Sequence, residues 1–200
     1  MGYSTILDII GAFVIGGILL LTLFRVNDTT VQNYFYYNSD FILQRDLVDI
    51  IMIVEGDLRR IGYCADPDNL ALPNRTILFA DSNAISFVTD LHRAGKLDTV
   101  EYRTGTPDDL SGTPNPRDIP LYRIINNANA ERSITGVVTE FRLVYFDALG
   151  DSISLPISSP GEIQTMELSI KVENASAYNQ NYSNAYWRQV RLASKNLKSR

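Results

Sequence analysis

Three patterns of apolar and polar residues follow one another along the chain. From Ile6 to Phe24 the residues are apolar or small, and Asp8 is the one ionisable group. A helix of about 20 such residues matches the roughly 30 Å hydrocarbon core of a bilayer. A helix apolar on every side suits a membrane better than the surface of a soluble domain. No Lys or Arg precedes the run, and Arg25-Val26-Asn27-Asp28 follows it in place of a small-x-small pair. A signal peptide marked for removal carries both features. Residues 1–26 therefore read as a retained transmembrane helix.

From Asn27 to Tyr63 no Pro interrupts the chain, and apolar residues recur every three or four positions. Val31, Tyr34, Phe35, Phe41, Ile42, Val48, Ile51, Met52, Val54, Leu58 and Ile61 mark one side of a helix, with Asp40, Arg45, Asp46, Asp49, Glu55, Asp57, Arg59 and Arg60 mostly on the other. This amphipathic stretch, residues 27–63, continues the membrane helix. Joined, the two parts exceed about 50 residues, on the order of 75 Å at about 1.5 Å per residue. Gly62 and Asp66-Pro67 supply the stop.

Beyond Asn74 the period changes from 3.6 to 2. In Ile163 to Glu173, Met166, Leu168, Ile170 and Val172 alternate with Glu167, Ser169, Lys171 and Glu173. That alternation suits a sheet with one buried face. Further strands are expected at residues 85–90, 99–103, 121–125, 137–146, 153–155 and 185–192. Asp147-Ala148-Leu149-Gly150-Asp151 forms the turn of a hairpin between the strands at 137–146 and 153–155. Strands in succession without helices between them predict an antiparallel sheet. The fold class is α+β: a long N-terminal helix packed on an antiparallel β-sheet domain, residues 64–200. Phe41, Val48, Ile51 and Leu58 are expected to meet Met166, Leu168 and Ile170 at that contact. Two long loops, residues 104–118 and 174–184, lack structure of their own in this reading.

Composition removes several classes of function. The 200-residue chain is 45% hydrophobic and 20% charged, which suits a folded protein. A net charge of -5 argues against a general nucleic-acid binder. Cys64 and His92 are the one cysteine and the one histidine. They exclude an intrachain disulfide and a zinc site built from Cys and His. Cys64 reads as a small buried residue at the helix end and His92 as an exposed loop residue. Asp147 with Asp151, and Asp66 with Asp68 near Asn69, resemble calcium ligand pairs but fit turns better. Asn27, Asn74, Asn174 and Asn181 each begin an N-x-Ser/Thr sequon. Arg188, Arg191, Lys195, Lys198 and Arg200 form a basic end, read as a solvated strand face and tail. No acid, base and nucleophile come together in the pattern, so no enzyme and no cofactor are expected.

The order of these elements resembles type IV pilins and the pseudopilins of type II secretion. The resemblance covers nearly the whole chain. It is carried by Asp57-Leu58-Arg59-Arg60-Ile61-Gly62-Tyr63 at the helix end, then Ile85-Ser86-Phe87, Val100-Glu101-Tyr102-Arg103 and Leu121-Tyr122-Arg123. Val138-Thr139-Glu140-Phe141-Arg142-Leu143-Val144-Tyr145-Phe146-Asp147 and Val190-Arg191-Leu192-Ala193-Ser194-Lys195-Asn196-Leu197 complete it. The pattern resembles that of the larger minor pseudopilins and pilus-initiating minor pilins.

The resemblance implies a subunit that waits in inner-membrane lipid and then joins a cell-surface filament with copies of itself or other pilin-like subunits. It implies a processing site at Gly2 and Tyr3. It also implies an assembly helix whose contacts include Asp8, Gly11, Phe13, Gly16, Gly17, Leu20 and Phe24. Asp8 stands one position later than the glutamate that such a cut would place in the family. A carboxylate in an apolar bundle needs a partner, and a neighbour's terminal ammonium supplies one; a helix-start acid at the membrane surface is the plainer role. The alternative function is a monomeric membrane-anchored binding or adhesion domain.

Overall fold

A computed structural model of the chain describes residues 2–70, 75–126, 132–174 and 182–193. Helix α1 runs Gly2–Arg59. It lacks Pro throughout, and it ends where Gly62 takes φ +73°, a backbone state that glycine adopts without Cβ strain. The exit is tied to a neighbouring strand: Gly62 N donates to Val88 O at 2.8 Å and Asp90 N to Tyr63 O at 2.8 Å. The chain divides into two compact units, Met1–Phe41 and Ile42–Arg200. Within the described residues the first is helix alone.

The second unit holds residues 42–59 of α1 and two sheets. Strands β1 (Ile77–Ala80), β2 (Ala84–Thr89), β3 (Asp98–Thr104), β4 (Ile119–Ile125) and β5 (Arg132–Val138) form a five-stranded sheet in chain order. Strands β6 (Glu140–Phe146), β7 (Thr165–Glu173) and β8 (Asn184–Leu192) form a three-stranded sheet, also in chain order. Every neighbouring pair is antiparallel. The α+β class holds, with two sheets where one was expected.

One apolar core joins α1 to both sheets. Leu43, Leu47, Ile50, Ile51, Val54 and Leu58 share a cluster with Ile85, Phe87, Val100 and Leu121, and with Leu143, Met166, Leu168, Ile170 and Val172. Phe41 and Val48 do not belong to it; they are 68% and 51% exposed. Each residue turns a helix by about 100°, so Val48 stands roughly a quarter turn away from Leu47. Both stripes repeat every three or four residues, and period alone does not tell the covered one from the open one.

Three strand expectations need correction. Residues 137–146 are not one strand. The chain leaves the first sheet at Val138, Thr139 N donates to Lys171 O at 2.8 Å, and β6 begins at Glu140. The alternation records the break: Val138 and Phe141 are both buried at a spacing of three, where an unbroken strand requires two. Residues 153–155 are not the hairpin partner of that segment. The return after the 147–151 turn makes a single bridge, Phe146 to Ser152, and β7 takes the place beside β6. Strand β1 was not expected at all; it is four residues long, too short for a period to register.

The loop at residues 104–118 carries structure of its own. A 3-10 turn spans Pro107–Leu110, opened by Thr106, whose N–H donates to Asp109 Oδ2 at 2.8 Å. Most of the loop at residues 174–184 lies outside the described residues.

Candidate functional site

The first unit presents the apolar helix surface. Its most apolar 18-residue window has a mean hydropathy of 2.5, and none of that window is buried. It is long and apolar enough to cross a bilayer. Tyr3, Phe13, Leu20 and Phe24 are all exposed. Each large apolar side chain left in water forgoes about 1.5–3 kcal/mol, so this surface needs lipid or protein around it. Threonine hydroxyls along it are satisfied within the helix: Thr22 Oγ1 donates to Ile18 O and Thr29 Oγ1 to Arg25 O, each at 2.8 Å. Gly11, Gly16 and Gly17 open onto space, since a Cβ there would meet nothing within 4 Å. Such positions let a second helix backbone approach closely. Gly2 is equally open. Asp8 is exposed and has no hydrogen-bond or ion-pair partner among the described residues.

In the second unit the expected helix–sheet residues Ile51, Leu58, Met166, Leu168 and Ile170 fall in one cluster, while Val48 stands outside it. The polar centre of this unit corrects an expectation, since it is a residue that the helix pattern assigns to the outward polar side. Asp57, on the last turn of α1, is 3% exposed. Its Oδ2 accepts from Tyr102 Oη at 2.7 Å and Arg123 Nε at 2.8 Å, and its Oδ1 accepts from Arg60 Nη2 at 2.7 Å. Burial, and then the Asp57 charge, push the Tyr102 hydroxyl well above its ordinary value. Burial opposes the Arg123 charge, but the bond to Asp57 together with the Asp57 charge and the Tyr102 contact outweighs it and raises that group too. The network binds the helix end to β3 and β4 and leaves no free nucleophile or base. The only signal in the sequence is a carboxylate beside Leu58 and near Val54, inside the buried stripe.

The remaining candidates serve local structure. Asp147 Oδ1 accepts the N–H groups of Leu149 and Asp151, both at 2.9 Å, as a turn residue does. Asp66 Oδ1 accepts from Asp68 N at 3.1 Å and caps a short 3-10 turn. Cys64 is buried and His92 exposed. Asp90 is buried and accepts N–H groups from Ala65, Ala94 and Gly95. Burial works against its charge, yet those donors prevail and hold the carboxyl below its ordinary value. Arg188 is paired with Glu167, while Lys195, Lys198 and Arg200 lie outside the described residues. Asn27 is exposed on the helix; Asn74 and Asn181 also lie outside the described residues. Among the described residues no three His, Cys, Asp or Glu side chains are placed to hold a metal ion. Set against protein-family models, curated proteins and solved structures, the chain matches none of them.

Proposed function

We propose that the chain is a structural subunit of an extracellular type IV pilin-like filament or pseudopilus, assembled through its N-terminal helix. The observation that carries this reading is the apolar surface of residues 6–24, exposed around the helix and set with three open glycines. In the inner membrane, lipid covers that surface. In a filament, like helices cover it instead, so little hydrophobic energy is gained in the exchange and close packing at Gly11, Gly16 and Gly17 favours the polymer. Contacts that repeat head to tail do not close, and they yield an open helical assembly. The subunit binds no cofactor and catalyses no reaction in this reading. The competing reading is a solitary membrane-anchored binding domain.

Immunogold electron microscopy of sheared cell-surface material, with antibody raised to the second unit, separates the two. Gold along filaments supports a major subunit, and gold confined to tips supports a minor initiating one. Gold on membranes alone, with none on sheared filaments, overturns the proposal in favour of the solitary domain.

A further inference from the structure

The outer face of the three-stranded sheet is a groove rather than a flat solvated surface. It is an open groove of about 340 Å³, at the lower end of the usual size of small-ligand sites. Strand register sets Arg142 on β6, Ser169 on β7 and Arg188 on β8 in one row across the sheet. On β7 the outward side chains of Glu167 and Ser169 are 9% and 5% exposed, covered by the longer side chains around them.

Two walls of the groove are held in place. Arg188 donates to both oxygens of Glu167, at 2.7 and 2.9 Å, which fixes its guanidinium and balances its charge. Tyr186 Oη donates to Ser169 Oγ at 3.3 Å, which fixes a ring that is still 53% exposed. Lys171 is paired with Glu173 at 2.8 Å. Arg142, by contrast, is exposed and has no carboxylate partner among the described residues. Glu140 stands two residues along β6, opposite Lys171.

We propose that this groove binds an acidic saccharide, its carboxylate held by Arg142 and its ring laid against Tyr186. The guanidinium fork fits a carboxylate with two parallel bonds. A half-exposed tyrosine offers the apolar face that the C–H side of a sugar ring needs, with its hydroxyl already engaged. Glu140, two residues from Arg142 on the same face of β6, accepts from sugar hydroxyls. The site is separate from the helix, and it holds whether the chain works in a filament or alone.

The test is calorimetric titration of the full chain in lipid nanodiscs with trigalacturonate, galacturonate and the neutral galactotriose. Saturable binding of trigalacturonate is expected. It weakens at least about tenfold in Arg142→Gln and in Tyr186→Leu, and about tenfold for galactotriose on the unaltered chain, each step worth about 1.4 kcal/mol. Arg142→Lys falls between, because an ammonium keeps the charge but loses the fork. Galacturonate binding nearly as tightly as the trimer identifies a free sugar acid as the ligand; a trimer at least about tenfold tighter identifies a polymer chain. Unchanged thermal unfolding of the variants shows that they are folded. No saturable binding by the unaltered chain, equal binding by Arg142→Gln, or equal binding of the neutral trimer overturns the proposal.

Discussion

Tyr102 Oη donates to Asp57 Oδ2 across 2.7 Å, both side chains buried, and so joins the last turn of the long helix to the centre of the first sheet. Removing the phenol hydroxyl leaves Asp57 its two arginines. Tyr102→Phe should therefore cost about 1–3 kcal/mol in urea unfolding. Asp57→Ala also strands Arg123 and the Tyr102 hydroxyl, and should cost about 3–5 kcal/mol. Equal losses from the two substitutions would show that the carboxylate is not the hub of the network.

Gly136 on β5 lies against Ile50 of the helix. A Cβ at Gly136 would come 2.5 Å from Ile50 Cγ1, closer than side chains approach. Gly136→Ala should destabilise by about 1–3 kcal/mol through overpacking. Ile50→Val in the same chain should return part of that loss, and a double-mutant cycle measures the coupling. Simple additivity would mean that the two residues do not touch.

The two stripes of the helix should respond differently to substitution. Leu47 is buried, and Leu47→Ala should cost about 2–5 kcal/mol. Met52 is 69% exposed, and Met52→Ala should stay within about 0.5 kcal/mol. Denaturant midpoints decide the matter; a large loss at Met52 would place the covered stripe on the other side.

Asp90 supplies a defined pH dependence. Its folded carboxyl titrates below the ordinary value of 3.8. The stability it contributes is thus fully present above that pH and is lost as pH falls through the lower folded value. Asp90→Asn should lower stability near neutrality and remove part of the acid slope below pH 3.8. Urea unfolding across that range reads both effects, and an unchanged slope would remove Asp90 from the acid response.

Asp8→Ala should lower filament assembly while leaving membrane insertion intact. An unpaired carboxylate is costly among apolar helices, and its worth in assembly depends on a partner from a neighbour. Quantifying sheared filaments beside membrane-fraction immunoblots measures the two separately. A normal filament yield would leave Asp8 only a place at the helix start.

The apolar run of residues 6–24 and the change of period beyond residue 74 were legible in the amino-acid order, because the period of a pattern is a local property. So was the inward row Met166, Leu168, Ile170, since alternate residues of a strand share a face whatever they pack on. The break at Thr139 was legible too, in the three-residue step from Val138 to Phe141, but the step is easily missed inside an otherwise apolar segment. Asp57 was not legible as a buried hub, because Tyr102 and Arg123, which make its burial tolerable, lie 45 and 66 residues further along.

What the sequence determined by itself is the kind of each element: an apolar helix, its amphipathic continuation and a succession of antiparallel strands, each set by the spacing of side chains along a few turns or a few residues. The tertiary structure alone decided which side of the helix is covered, that the strands part into two sheets, and that Arg142, Tyr186 and Arg188 share a groove. Those outcomes depend on contacts between residues far apart in the chain. A helix with apolar residues on two sides fits a core through either one, until Gly136 gives Ile50 its space and Tyr102 and Arg123 meet the charge of Asp57.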